Sequence, residues 1–326
     1  MPTALVTGAT GCVGSALVLR LVGDGFHVRI LRRATSDTGI LGGVTTEEFV
    51  GDICDDAALR RAAEGCDVVF HTAALVSFAR GVRDEQRRVN VLGTRSVVRA
   101  CLVAGVPTLV HTSSVTTVGF PSPGEFADED TPVDRRNAEG YKLTKILAED
   151  EVQEGVVRGL RGVIVNPSVI MGERDIRFHA GQLIRDVKKG RIPFYIDGGM
   201  NIVYAGDVAK GMLLAAEKGR TGERYILGGE NLTHREILLS TARLVHGRKP
   251  IFKLPLSLLR TLGRVVESVS GILGITPLLT ADLAAIGGRY NWYSSDKAVR
   301  ELGYSARSFE ATVLATYRWY HENGYL

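Results

Sequence analysis

A short apolar run near the N-terminus is followed at once by three regularly spaced glycines. The run covers Ala4 to Thr7, the glycines are Gly8, Gly11 and Gly14, and apolar residues then recur at helical spacing. In a strand–turn–helix, the first glycine permits the tight turn, the second lets backbone N–H groups approach a phosphate, and the third allows close helix packing. The spacing therefore predicts a dinucleotide-binding turn that opens an α/β fold.

Short β-branched segments alternate with longer segments of helical periodicity through the first half of the chain. Strand–helix–strand units, when repeated, build a parallel sheet with helices on both faces. We therefore predict an α/β fold with a Rossmann-type doubly wound parallel sheet. The predicted strands are 4–7, 28–31, 68–71, 108–112 and 162–165, and the predicted helices are 13–22, 57–63, 88–103 and 141–152.

The second half of the chain is less regular and begins with a glycine-rich region after Pro167. At 326 residues the chain exceeds the size at which one compact core keeps growing, which predicts a smaller second lobe. We expect residues 1–167, joined by 200–228, to form the nucleotide-binding domain, and residues 168–199 and 229–326 to form a mainly helical substrate lobe. The elements predicted after Pro167 are helices at 207–217, 233–245 and 309–321, a strand at 225–227, and an amphipathic region at 254–286.

Composition and charge argue against several other classes of protein. The 40 basic and 36 acidic residues nearly balance and are scattered, so we do not expect nucleic acid as a partner. No uncharged stretch reaches membrane-spanning length and the chain begins without a basic leader, which predicts a cytoplasmic protein without a transmembrane segment. The cysteines lie far apart without metal-ligand spacing, which predicts reduced thiols and no metal site: Cys12, Cys54, Cys66 and Cys101.

Two arginines stand at the end of the second predicted strand, where an NAD-selective site usually places an acidic residue for the ribose hydroxyls. A guanidinium can instead bond a ribose phosphate bidentately. Arg32 and Arg33 therefore favour NADP(H) over NAD(H), although both could be ordinary exposed side chains. Asp52, after the next short strand, is placed either to accept a hydrogen bond from the adenine amino group or to cap the helix that starts near Asp55.

Three polar side chains predict a proton-transfer site. Tyr141 and Lys145 are four residues apart, so they share one helix face, and the ammonium is expected to lower the pKa of the phenol. Ser114 follows a predicted strand, at the edge of the sheet where open α/β folds bind ligands. Its hydroxyl is placed to polarise a substrate oxygen. Taken singly, the helical pair is compatible with an exposed surface and the serine with a simple turn.

With these residues in place, the chain resembles the extended short-chain dehydrogenase/reductase superfamily over essentially its full length. The similarity includes the segments 71–74, 90–94 and 166–168. It is greatest for the dihydroflavonol reductase and 3β-hydroxysteroid dehydrogenase group and for hopanoid-associated sugar epimerase-like proteins. The resemblance implies that Asn90 bends a helix, that Pro167 neighbours the nicotinamide ring, and that the chain is a homodimer through helices at 88–104 and 141–152.

The cofactor contacts expected from the sequence extend from the glycine turn to the segment after the sixth strand. They are Gly8, Thr10, Gly11, Cys12, Val13, Arg32, Arg33, Asp52, Ile53, Ala73, Ala74, Thr112, Tyr141, Lys145, Pro167, Ser168 and Val169.

The function expected from these features is an NADP(H)-dependent oxidoreductase. It would interconvert a carbonyl and a secondary alcohol on a small apolar, aromatic or polycyclic substrate, with Ser114, Tyr141 and Lys145 as catalytic residues. One alternative is a nucleotide-sugar epimerase or dehydratase with tightly bound NAD. Another is a non-catalytic NADP(H)-sensing protein, which would have no use for the three catalytic side chains. The epimerase would need basic groups for a diphosphate, for which the candidates are Arg174, Arg177, Lys188 and Arg191.

Overall fold

The computed structural model describes residues 1–77, 80–122, 124–176, 180–259, 261 and 287–326. Arg177 and most of the amphipathic region predicted at 254–286 therefore lie outside the described residues. In chain order the described strands are β1 (Thr3–Thr7), β2 (His27–Arg32), β3 (Glu47–Val50), β4 (Val68–His71), β5 (Thr108–Thr112), β6 (Arg161–Pro167), β7 (Val169–Met171), β8 (Phe194–Tyr195), β9 (Gly199–Tyr204), β10 (Arg224–Leu227), β11 (Glu230–Thr233), β12 (Phe252–Lys253) and β13 (Tyr290–Asn291).

Helices alternate with these strands. Those described are α1 (Cys12–Gly23), α2 (Asp56–Ala63), α3 (Arg83–Arg87), α4 (Gly93–Ala104), α5 (Gly140–Val157), α6 (Gln182–Lys188), α7 (Ala205–Lys218), α8 (His234–Leu244), α9 (Asp296–Leu302) and α10 (Phe309–Glu322).

Seven of the described strands form one sheet in the order β10-β6-β5-β4-β1-β2-β3. Every neighbouring pair in this sheet is parallel. The predicted doubly wound α/β fold is confirmed. The strand order reverses beside β1, and in such sheets ligands bind beyond the carboxyl ends of the strands at that point.

Apolar side chains on both faces of the sheet explain the layered packing. Strands buried on two sides need apolar residues at successive positions, and β1, β4 and β5 have them. One face is covered by α1 and α7, and the other by α2, α4 and α5. Buried residues of the two layers include Leu17 and Met212 on the first face and Leu59, Val97 and Val152 on the second.

Smaller sheets lie outside the central one. β9 pairs antiparallel with β11 and parallel with β7 and β13, while β8 pairs with β12. A separate apolar core packs α6, α8 and α10 against this region, with buried Ile184, Ile237, Leu238, Phe309 and Val313. No helix in the described part of the chain is long and apolar enough to cross a membrane.

The helix predicted at 88–103 is interrupted in the structure. Arg88–Leu92 forms a π-helical turn between α3 and α4, with Asn90 buried inside it. The Asn90 side chain accepts a hydrogen bond from Leu75 N at 2.7 Å and donates to Leu75 O at 3.1 Å and to Thr144 Oγ1 at 3.0 Å. The wider turn directs this amide inward toward the segment after β4. Asn90 thus lies in a π-helical turn, and the helix bending that the resemblance implies stays a prediction.

Candidate active site

The glycine turn leaves a helix N-terminus open above the sheet. Gly8 has a left-handed φ of 73°, and a Cβ built there would lie 2.6 Å from Ala73 N. A Cβ on Gly14 would lie 2.1 Å from Gly8 O. Gly11 is the N-cap of α1 and supplies no side-chain cap, so the first backbone N–H groups remain available for an anion.

Other residues predicted at the glycine turn are placed beside it. Thr10 and Cys12 are partly buried on the turn and the first position of α1. The Val13 side chain packs in the core, so any contact with a ligand there is through its backbone. Ala73, after β4, lies against Gly8. Ala74 follows it and is also partly buried.

The two arginines after β2 have different surroundings. Arg32 forms an ion pair with Glu48 on the adjacent strand β3. Arg33 is exposed and forms no ion pair within the described residues. Arg33 therefore has the more available guanidinium of the two, and its charge also lowers the pKa of nearby Asp52.

Asp52 lies after β3 and is held by an arginine that the sequence reasoning missed. Arg88 donates to Asp52 Oδ1 at 2.6 Å and to Oδ2 at 3.3 Å. This hydrogen bonding lowers the pKa of Asp52, against the effect of burial. The alternative role of Asp52 as a helix cap is wrong. Asp55 caps α2, because its Oδ1 accepts from the backbone N–H groups of Ala57 and Ala58 in the first turn, at 3.1 and 3.0 Å. Ile53 is buried in the core beside α4.

Ser114, Tyr141 and Lys145 meet beyond the end of β5. Ser114 begins a 3-10 turn, and its Oγ accepts from Thr116 N at 3.2 Å. Tyr141 is the second residue of α5, and its side chain hydrogen-bonds to Ser114. Lys145 lies one helical turn later, and its Nζ donates to the carbonyl oxygen of Thr112 at 2.6 Å.

Burial has opposite effects on the two titratable groups. It raises the pKa of Tyr141 to about 12, although the hydrogen bond with Ser114 opposes this shift. It lowers the pKa of Lys145 to about 8, although the nearby Glu149 carboxylate opposes this shift. The prediction that Lys145 lowers the pKa of Tyr141 is therefore wrong for this arrangement. The ammonium is directed at the Thr112 carbonyl, and desolvation of the phenol dominates.

A buried carboxylate supports the Ser114 turn. Glu149 Oε1 accepts hydrogen bonds from Thr117 Oγ1 at 2.7 Å, from Asn166 Nδ2 at 2.8 Å and from the Ser113 hydroxyl. Asn166 Nδ2 also donates to the carbonyl oxygen of Ser114 at 3.2 Å. These hydrogen bonds hold the backbone around Ser114 in place, so Glu149 positions the Ser114 side chain without touching it. Glu149 was not among the site residues predicted from the sequence.

The residues predicted next to the nicotinamide lie at the same edge of the sheet. Pro167 ends β6, and Val169 begins β7 and is 39% exposed. Ser168 lies between them and is buried, and its Oγ has no hydrogen-bond partner in the described part of the chain. A buried hydroxyl without a partner is unfavourable, which is consistent with a ligand group at this position.

A nicotinamide dinucleotide therefore fits this edge of the sheet. The open N-terminus of α1 and the close approach at Gly8 suit a pyrophosphate, and the exposed Arg33 suits an additional phosphate. Ser168, whose hydroxyl has no partner in the described part of the chain, follows β6 at this edge, and the hydrogen-bonded pair of Ser114 and Tyr141 lies beyond β5. Within the described residues, no group of three or more His, Cys, Asp or Glu side chains could hold a metal ion.

The basic residues proposed for a sugar diphosphate are not brought together. Lys188 Nζ donates to Val245 O at 2.7 Å, and Arg191 pairs with Asp186 at 3.4 Å. Arg174 lies beside the glycine turn instead. Among the described residues, Arg174, Lys188 and Arg191 thus form no cluster for the diphosphate of a nucleotide sugar, and Arg177 lies outside them.

Comparisons with known proteins agree with this geometry. Residues 4–228 match the family described as the NAD dependent epimerase/dehydratase family. A putative dihydroflavonol 4-reductase of Synechocystis sp. is 35% identical, over 98% of this chain and 95% of the relative. Sterol demethylase protein B of Methylococcus capsulatus is 34% identical, over 99% of each chain. The crystal structure of PA4631, a nucleoside-diphosphate-sugar epimerase from Pseudomonas aeruginosa, is 26% identical with a TM-score of 0.83, covering 100% of this chain and 99% of that one.

Proposed function

The chain belongs to the NAD dependent epimerase/dehydratase family and is an oxidoreductase of the extended short-chain dehydrogenase/reductase type, and from this premise we propose that it interconverts a carbonyl and a secondary alcohol with NADP(H). The observation that carries the proposal is the hydrogen-bonded pair of Ser114 and Tyr141 at the carboxyl edge of the sheet, with Lys145 one turn away. These are the groups that proton transfer to a substrate oxygen requires.

Each catalytic side chain has a distinct proposed role. When bound, the nicotinamide supplies or accepts the hydride. Tyr141 donates a proton to the carbonyl oxygen, and Ser114 donates a hydrogen bond to the same oxygen. Lys145 holds the ribose of the nicotinamide nucleotide. Burial raises the pKa of Tyr141, so the phenol carries the proton that carbonyl reduction requires.

An aromatic patch beside α5 supports an apolar, polycyclic substrate. The patch consists of Phe120, Phe126, Tyr290 and Trp292. The ring of Phe126 stacks on Trp292 at 5.9 Å between centroids, and Tyr290 meets Trp292 at 4.9 Å. Phe120 lies 5.3 Å from Nζ of Lys142 in α5. Aromatic surface of this kind suits a large planar ligand, and the names of two similar proteins refer to a dihydroflavonol and a sterol.

The homodimer expected from the resemblance stays a prediction. α4 and α5 pack on the same face of the sheet and carry Val103 and Val157, which are 69% and 83% exposed. Exposed apolar side chains on both helices are the observation that supports this prediction. Light scattering on the purified chain measures the molar mass that separates a dimer from a monomer.

Cofactor choice is tested by fluorescence titration of nucleotide-stripped protein with NADPH and NADH, after recording whether a cofactor copurifies. We expect NADPH to bind more tightly. Arg33→Ala should weaken NADPH binding about tenfold or more and leave NADH nearly unchanged, because a charge-assisted hydrogen bond contributes about 1.5–3 kcal/mol.

The matched control is Arg61→Ala, which removes another exposed arginine, on α2, and should change neither affinity. Tightly retained NAD without any NADPH preference would contradict the proposal. That outcome would place the nucleotide-sugar epimerase first, for which the similar epimerase structure is the supporting observation.

A further inference from the structure

Arg174 has a backbone conformation that side chains other than glycine rarely adopt. Its φ is 64°, and His246, with a φ of 51°, is the other non-glycine residue with positive φ among those described. The left-handed region is unfavourable for a residue with a Cβ, so it persists only where the surroundings hold it. Such residues cluster at ligand-binding sites, which makes the surroundings of Arg174 informative.

The loop that contains Arg174 crosses from β7 to the glycine turn. The thiol of Cys12, at the start of α1, donates to the carbonyl oxygen of Glu173 at 3.6 Å. Arg174 Nε donates to the carbonyl oxygen of Ile40 at 3.1 Å. Ile40 belongs to the segment that follows the arginines at the end of β2. The Arg174 loop therefore touches the start of α1, beside the glycine turn, and the segment that follows Arg32 and Arg33.

Arg174 stands between two acidic residues, Glu173 and Asp175, whose carboxylates also act on Cys12 at the start of α1. Unlike Arg32, Arg88 and Arg191, it forms no ion pair within the described residues. Its bond to Ile40 O uses Nε, so the two terminal nitrogens remain available as donors. Burial and two carboxylates raise the pKa of the Cys12 thiol and the charge of Arg174 lowers it, so the guanidinium acts on the start of α1.

We propose that Arg174 binds a phosphate group of the dinucleotide from the side opposite the glycine turn. The backbone N–H groups at the start of α1 approach the phosphate from one side, and the guanidinium adds a charged donor pair from the β7 loop. The strained backbone is retained because it directs the side chain toward Ile40 and α1. This inference rests on the dinucleotide site of the proposed function.

Two phosphates of the cofactor have the same chemistry. The pyrophosphate is common to NADH and NADPH, whereas the ribose phosphate is found only in NADPH. If Arg174 binds the pyrophosphate, its loss weakens both ligands equally. If it binds the ribose phosphate, its loss weakens NADPH alone.

The test compares Arg174→Gln and Arg174→Gly with wild type in titrations with NADPH and NADH. Both variants should raise the Kd for NADPH about tenfold or more. Arg174→Gly also relieves the backbone strain, so its melting temperature without ligand should equal or exceed that of wild type. Weaker binding by a protein that is no less stable is a result that a purely structural role would not produce.

The matched control is His246→Gly, which relieves the same kind of strain at a position away from the glycine turn and should leave both affinities unchanged. Kd values within about twofold of wild type in both Arg174 variants, or equal weakening in His246→Gly, would overturn the inference. Wild-type protein that binds neither dinucleotide would overturn the proposed function as well, so the two failures are distinguishable.

Discussion

Lys145 is a buried charge whose cost to the fold depends on pH. Its side chain is 1% exposed, and burial lowers its pKa to about 8. Below that pH the folded and unfolded chains both carry the ammonium, and the folded state bears the full desolvation cost. As the pH rises from about 8 to about 10.4, the folded state loses its proton first. The unfolded state then binds more protons, so the contribution of Lys145 to stability rises with pH.

Replacing Lys145 by Met should therefore change the pH dependence of stability. Between about pH 7 and about pH 10, wild type should gain about 2–3 kcal/mol relative to Lys145→Met. Urea unfolding of nucleotide-stripped protein at several pH values measures this difference. Lys218→Met, at an exposed position in α7, should keep the wild-type pH dependence. A difference between wild type and Lys145→Met that is constant with pH would contradict the account.

At the residue scale, local sequence identified the groups but not their partners. Tyr141 and Lys145 were predictable because helix periodicity alone puts them on one face. Glu149 continues the same four-residue spacing, which was the signal available for it. Its hydrogen-bond partners Ser113 and Asn166 lie at the ends of β5 and β6, far from Glu149 in the sequence. Only the folded chain therefore shows that these side chains are bonded to one another. The pKa of Tyr141 depends on burial and on where Lys145 points, and spacing specifies neither.

At the element scale, the π-helical turn before α4 shows how a tertiary contact overrides helix periodicity. The Asn90 amide bonds both backbone groups of Leu75 and the hydroxyl of Thr144. Apolar spacing predicted one continuous helix there, because periodicity does not record a hydrogen bond to a loop after another strand. Elements without such a contact, including β4 and β5, have the predicted bounds.

Asn90→Leu should destabilise the fold by about 2–3 kcal/mol, because the buried N–H and C=O groups of Leu75 lose their partners. Urea unfolding measures the change. Asn137→Leu is the control, since Asn137 is exposed and bonds only to nearby Asp134 within the described residues, and it should cost far less. Equal stability of Asn90→Leu and wild type would show that the turn does not depend on this amide.

At the scale of the whole molecule, the sequence was sufficient for the parallel sheet and the glycine turn. Both depend on local periodicity and on steric needs of single residues, such as the φ of 73° at Gly8. The position of the β7 loop over the turn was not predictable. It depends on how distant segments pack, and Arg174 was accordingly assigned to a sugar diphosphate rather than to the glycine turn.

The most direct test of the central claim is the oxidation of NADPH by wild type and by Tyr141→Phe in the presence of a polycyclic ketone. We expect wild type to oxidise NADPH and form the secondary alcohol in equal amounts. Tyr141→Phe should bind NADPH as tightly but lose about 100-fold or more in kcat, because it lacks the proton donor. Undiminished turnover in Tyr141→Phe, or a wild type that oxidises no NADPH with ketones but interconverts a nucleotide sugar, would contradict the account.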